Sequence, residues 1–207
     1  MSRRHHVQIG GGGQEIIFNA PLDEVNTSKD LISGVNGTVT SGTFDSTTHS
    51  VSGSAVRYNG IVRWDLNGQA FPTKVQAAYT NGKTIGVSWE MYCTSNTNYA
   101  TPFTIGTWGS TNNSTRLPKE EGLKVDPRGN YVWMPITRNL WVTITYYIDL
   151  QNAMIYGNTS EGYSNNLSTP TISVSNDIVR YVNIFGKCWS GGGTWTGKMR
   201  NVLIWTE

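Results

Sequence analysis

The chain has 207 residues, the size of one β-sandwich or barrel, and 14% of them are charged against roughly 25% in an average soluble protein. Ser, Thr and Asn fill 62 positions and Gly another 23, so the polarity comes from small uncharged groups that favour turns and strands, which excludes a helical bundle. With 8 Trp, 10 Tyr and 5 Phe the chain is not disordered, and a net charge of +2, carried by Arg3 and Arg4, leaves a neutral body with no counterion-release term for nucleic acid.

Residues 1–14 read as an arm separate from the domain at 15–207. Arg3, Arg4, His5 and His6 are followed by Val7 and Ile9, two alternate apolar side chains able to add to a neighbour's sheet edge, and then by four glycines from Gly10 to Gly13 that form a hinge. The start has no apolar run of the kind a secretion signal needs, and no stretch approaches the ~20 apolar residues of a membrane span.

Beyond the hinge, Glu15 to Phe18 opens a series of short alternating runs. The next piece, Pro21 to Ile32, has apolar positions too sparse for more than one helical turn. Strands follow at Ala55 to Tyr58 and Ile61 to Trp64, and then in the clearest run, Thr84 to Cys93. There Ile85, Val87, Trp89, Met91 and Cys93 share one face. Pro102 to Trp108, Gly122 to Val125 and Tyr131 to Met134 are shorter. Trp141 to Ile148 and Asn152 to Tyr156 form a hairpin, and Ile178 to Phe185 and Lys198 to Thr206 close the set. This order of strands, with no convincing helix, predicts an all-β, two-sheet antiparallel jelly-roll sandwich. Trp64, Trp89, Trp141 and Trp205 fall inside alternating runs and are expected in the core or on inner faces. Two cysteines cannot make a disulfide framework; Cys93 and Cys188 read as buried thiols, with a single bridge between distant strands as the alternative.

Several segments, in order, resemble the laminin-G-like, or concanavalin A-like, lectin–glucanase jelly-roll family. Phe18-Asn-Ala-Pro-Leu22 with Asp30-Leu-Ile-Ser-Gly-Val-Asn-Gly-Thr-Val39 is similar to the family's opening strand and turn. Ser52-Gly-Ser-Ala-Val-Arg-Tyr-Asn-Gly60 resembles its first hairpin, and Ile85-Gly-Val-Ser-Trp-Glu-Met91 its central strand. Trp141 to Asp149 with Met154-Ile-Tyr-Gly-Asn158, and Asn183-Ile-Phe-Gly186 with Trp195 to Trp205, are similar to its closing strands. Asn201 stands where the family often has an acid. The resemblance implies a fold that hosts adhesins, lectins, structural modules and some glycosidases.

Catalytic chemistry is sparse. A retaining glycosidase needs two carboxylates about 5 Å apart on one strand face, yet Glu90 is the one acid on a central strand and the adjacent Glu120 and Glu121 fall in a Pro-Lys turn. The three histidines, His5, His6 and His49, offer no base for a nucleophile, and His49 lies in a Ser/Thr loop where solvation is its expected role. No enzyme activity is expected, and no cofactor. Calcium is what the resemblance would add, with Asp30, Asp45 and Asp65 as candidate ligands; Asx turn-capping is the favoured role for these and for Asp126 and Asp177.

Sugar recognition needs flat aromatic faces ringed by amides and hydroxyls. Trp189 and Trp195 flank a triple glycine, Trp108 precedes Asn112 and Asn113, and Tyr163-Ser-Asn-Asn166 is a smaller version containing Asn165. These make the candidate carbohydrate-binding rim, with packing of Trp189 and Trp195 as strand-end core residues as the alternative. The expected function is a non-catalytic phage virion-surface protein, a head decoration or fibre component made in the host cytoplasm. Its arm would dock on capsid or tail proteins, its jelly roll would meet host glycans, and a homo-oligomer is left open. The alternatives are a secreted extracellular bacterial glycan-binding or adhesion module, and third a glycoside hydrolase or polysaccharide lyase.

Overall fold

Period-two alternation of apolar and polar side chains builds two antiparallel sheets. The computed structural model describes residues 13–54, 61–96, 102–105, 114–116, 123–126, 132–149, 151–168, 180–184 and 195–207. In chain order the strands are β1 (Glu15–Ala20), β2 (Thr38–Val39), β3 (Thr43–Asp45), β4 (Ser50–Ser54), β5 (Val62–Asp65), β6 (Thr84–Asn96), β7 (Phe103–Ile105) and β8 (Ser114–Arg116). They continue as β9 (Leu123–Asp126), β10 (Val132–Met134), β11 (Trp141–Asp149), β12 (Met154–Thr159), β13 (Ser164–Ser168), β14 (Tyr181–Ile184) and β15 (Trp195–Thr206), with one helix, α1 (Ala70–Thr80). An eight-stranded sheet runs β13-β12-β11-β6-β15-β4-β3, with β1 also paired to β15; a seven-stranded sheet runs β10-β9-β8-β7-β14-β5-β2. The protein is an all-β, two-sheet antiparallel jelly-roll sandwich.

The core lies between the sheets. Ile85, Val87, Trp89, Met91 and Cys93 of β6, and Val142, Ile144, Tyr146 and Ile148 of β11, are all buried on the inner face. Trp89 stacks on Phe103 of the opposite sheet with centroids 5.1 Å apart and meets Tyr146 edge-on at 5.9 Å. A second cluster joins Phe18 to Trp64 at 5.1 Å and to Phe71 of α1 at 6.0 Å, while Trp64 Nε1 donates to the Ser28 carbonyl at 2.6 Å.

Two expectations about the tryptophans change here. Trp141 is half-buried on the outward face of the eight-stranded sheet, because it has the parity of Thr143 and Thr145 and not that of Val142. Trp205 is buried, but also on that outward face: it packs against Gly86, and a Cβ built on Gly86 would fall 2.0 Å from Trp205 Cε2.

The helix α1 was not expected. Its buried residues Phe71, Val75 and Ala78 follow i, i+4, i+7 spacing, Pro72 sits in the first turn where its missing N–H costs nothing, and its end is a Schellman motif. Gly82 has φ 63°, Lys83 N–H donates to Ala78 and Gly82 N–H to Tyr79. Strands β2, β3, β4, β8 and β13 were also missed, since they are short and rich in Ser and Thr or Asn, and all but β8 lie at or next to a sheet edge. The Pro21–Ile32 piece contains the expected single turn, with Thr27 N–H bonded to the Asp23 carbonyl. The expected strand at Ala55–Tyr58, most of the arm, and Cys188 with any pairing to Cys93 lie outside the described residues. Among the described residues no helix is long and apolar enough to cross a membrane.

Candidate functional site

The register of the eight-stranded sheet lines its outward side chains into rows. One row reads Trp141, Tyr92, Lys198, Ser52 from β11 to β4, and the next reads Thr143, Glu90, Arg200. This end is tied down by charge. Arg200 donates from Nε to Glu90 at 2.8 Å and from Nη1 to the Thr48 carbonyl at 2.7 Å, and its guanidinium lies 4.2 Å over the Trp141 ring. Asn201, at φ 54° in a bulge of β15, donates to the other Glu90 oxygen at 2.7 Å, so an amide serves there as a donor where an acid would repel. Lys198 donates to Asp45 at 2.8 Å, and this bond, helped by Thr48 and Thr47, holds the Asp45 carboxyl well below the usual carboxylate range.

Toward the other end of the same face two rows are uncharged. A row runs Asn166, Tyr156, Tyr147, Gly86, Trp205, and beside it Ser164, Asn158, Thr145, Ser88. The Tyr156 ring is 39% exposed, and the Asn158 and Asn166 side chains around it are exposed and make no hydrogen bond among the described residues. Tyr147 stands edge-on to Trp205 at 5.5 Å and backs this strip; its phenol is pushed up by burial and by the nearby Glu207 charge. A flat aromatic ring with two uncommitted amides and flanking hydroxyls is the composition of a sugar-binding surface. Composition did not single out Tyr156 in the sequence; the β11–β12–β13 register would have, because it sets Tyr156 and Asn158 at one parity and brings Asn166 alongside.

Among the residues singled out in the sequence, Trp108, Asn112, Asn113 and Trp189 lie outside the described residues. Trp195 opens β15 opposite Asn96 and so begins a strand instead of sitting in a loop. Asn165 is on β13, also a strand, in the row of Gly157, Tyr146 and Val87, and its Nδ2 donates to the Trp133 carbonyl of β10 at 3.1 Å, tying the two sheets together. Val87 is nine residues along β6 from Asn96, so Trp195 and Asn165 are separated by about 30 Å of strand rise. The structure does not bring them to one rim.

Each of the three candidate calcium ligands is engaged by donors of its own. Buried Asp30 accepts from Asn19 N–H, Ile32 N–H, Ser33 N–H and Ser33 Oγ, at 2.8, 3.2, 3.1 and 2.5 Å. Asp45 is engaged with Lys198, and Asp65 with Arg180 at 3.2 Å and Asn67 N–H at 3.1 Å. Their oxygens face donors and cations, and no cluster of three or more His, Cys, Asp or Glu occurs among the described residues. His49 Nδ1 shares a hydrogen bond with Glu24 at 2.7 Å, which lowers the Glu24 carboxyl. Glu90 and Asp45 lie about three strand spacings apart, near 14 Å, wider than the carboxylate pairs of glycoside hydrolysis.

Solved structures share this architecture. The binding domain of botulinum neurotoxin DC, in complex with rat synaptotagmin II, superposes with a TM-score of 0.66 at 10% identity over 91% of this chain and 47% of that one. The likeness is one of fold. A botulinum neurotoxin type C structure, from work on its dependence on two ganglioside molecules for cell entry, matches with a TM-score of 0.61 at 11% identity, again over 91% of this chain and 47% of that one. A mutant Trypanosoma rangeli sialidase with trans-sialidase activity matches at 0.63 and 12% identity over 92% of this chain and 30% of that one. The chain thus spans about half the neurotoxin domains and under a third of the sialidase. No protein-family model matches the sequence, and no curated protein matches it.

Proposed function

We propose that the protein is a non-catalytic carbohydrate-binding β-sandwich module, and that the exposed Tyr156 ring with the uncommitted amides of Asn158 and Asn166 is its contact surface. That surface carries the reading. The fold shared with a botulinum neurotoxin whose cell entry depends on two ganglioside molecules, and with a sialidase, supports the ligand class. The reading requires no cofactor. A glycan array on the full chain tests it: retention of a glycan is expected, and Tyr156→Ala is expected to weaken it by about 1–3 kcal/mol, the scale of a contact aromatic, with the melting temperature almost unchanged. If the wild-type chain retains no glycan the module is structural. Reducing-sugar release from a polysaccharide would instead place it with hydrolases or lyases of this fold.

As its setting we propose the surface of a phage particle, with residues 1–13 as the anchor to capsid or tail proteins. The reading is supported by the basic start, the alternate Val7 and Ile9, and the glycine hinge that separates them from β1. A chain lacking residues 1–13 is expected to melt at the wild-type temperature and to be lost from assembled particles. Equal incorporation of the truncated chain defeats the idea and leaves a secreted glycan-binding or adhesion module as the alternative.

A further inference from the structure

The outward face of the seven-stranded sheet carries a cation, Arg63, that the described residues orient without neutralising. Arg63 of β5 has Asn183 of β14 as its Cα partner, and its guanidinium carbon lies 3.8 Å from the Tyr181 ring centroid. Arg180 lies over the same ring at 4.5 Å, bonds to the Tyr181 hydroxyl and pairs with Asp65 at 3.2 Å. The one carboxylate in this group is therefore taken by Arg180, and Arg63 has no carboxylate partner among the described residues. On the other sheet, by contrast, Lys198 and Arg200 are both paired with acids.

A guanidinium that stacks on a ring gives its face to the ring and keeps its in-plane N–H donors for a ligand. Its orientation is already set, so little rotamer entropy is lost when a planar anion docks on the fork. Asn183, half-buried beside it, donates from Nδ2 to Thr104 Oγ1 at 3.3 Å, which leaves its Oδ1 as an acceptor next to the arginine donors. A planar anion flanked by a hydroxyl donor is what this set complements. A carboxylate alone would use the fork, and a neutral hydroxyl alone would use the amide.

We infer that Arg63, Tyr181 and Asn183 form a second saccharide site, selective for a sugar that carries a carboxylate, on the side of the sandwich opposite Tyr156. The ligand class rests on the carbohydrate reading above, but the site does not depend on the Tyr156 surface. The test is saturation-transfer NMR and titration of the full chain with N-acetylneuraminic acid, glucuronic acid, glucose 6-sulfate and glucose. Binding of the carboxylated sugars is expected, with an affinity loss of about tenfold or more in Arg63→Ala and a smaller loss in Arg63→Lys, which keeps the charge and loses the fork. Both variants are expected to melt as wild type. Carboxylated sugars that bind Arg63→Ala as well as wild type, or glucose 6-sulfate that binds better than either carboxylated sugar, overturn the assignment. Retention of neutral glycans through Tyr156 with no Arg63-dependent acid binding removes this site alone. No binding of any sugar, neutral or acidic, removes this site and the carbohydrate reading together.

Discussion

Trp89→Ala is expected to lower the melting temperature by roughly 10 °C, the equivalent of about 3–5 kcal/mol in a domain of this size. Trp89 is fully buried at the centre of β6, stacks on Phe103 of the other sheet and meets Tyr146 from β11, so its removal opens a cavity that strands of both sheets would have to close. Sheets held by their own hydrogen-bond ladders cannot move together far enough to fill it, and the full cost of the void is expected to appear. Trp89→Phe sharpens the test. It keeps much of the ring and removes an indole N–H that has no hydrogen-bond partner among the described residues, so its cost is expected to be less than half that of the alanine. Calorimetry that finds Trp89→Ala within about 1 kcal/mol of wild type would show that the tryptophan does not join the sheets.

Gly86→Ala is the second large effect, and its sign is opposite to local propensity. Alanine in a strand interior is ordinarily favoured over glycine by about 0.5–1 kcal/mol, because glycine loses more chain entropy on folding. Here the added methyl would fall 2.0 Å from Cε2 and 2.2 Å from Cζ2 of Trp205, inside the contact distance of any carbon pair. The ring has to leave its seat over the strand, and exposing it costs about 1.5–3 kcal/mol on top of the strain, so a net loss of about 2–4 kcal/mol is expected. The cause can be isolated by a double-mutant cycle. In a Trp205→Val background the obstacle is gone, and Gly86→Ala should become neutral or stabilising. If it stays as costly as in the wild type, the close seat of Trp205 on Gly86 is not what constrains the position.

The sequence by itself determined the fold class and most of the long strands. Thr84 to Cys93 and Trp141 to Ile148 alternate without a break, and a period of two can bury one face only as a strand, so β6 and β11 were legible as strands. Low charge and abundant Ser, Thr, Asn and Gly pointed the same way, and the order of motifs narrowed it to a jelly roll. Alternation states which residues share a face, but it does not state which of the two faces is covered. That is why Trp141 and Trp205, expected in the core or on inner faces because they fall inside alternating runs, prove to lie on the outward face, one under a guanidinium and one over a glycine. The helix at Ala70–Thr80 was written in Phe71, Val75 and Ala78, but in a chain so rich in strand residues its short apolar spacing carried little weight until packing against Phe18 revealed it. The candidate sites depended on tertiary structure altogether. Tyr156 meets Asn166, and Arg63 meets Tyr181 and Asn183, through strand pairings between residues as much as 120 positions apart, and the identity of a strand's neighbour is set by the whole sheet and not by the strand.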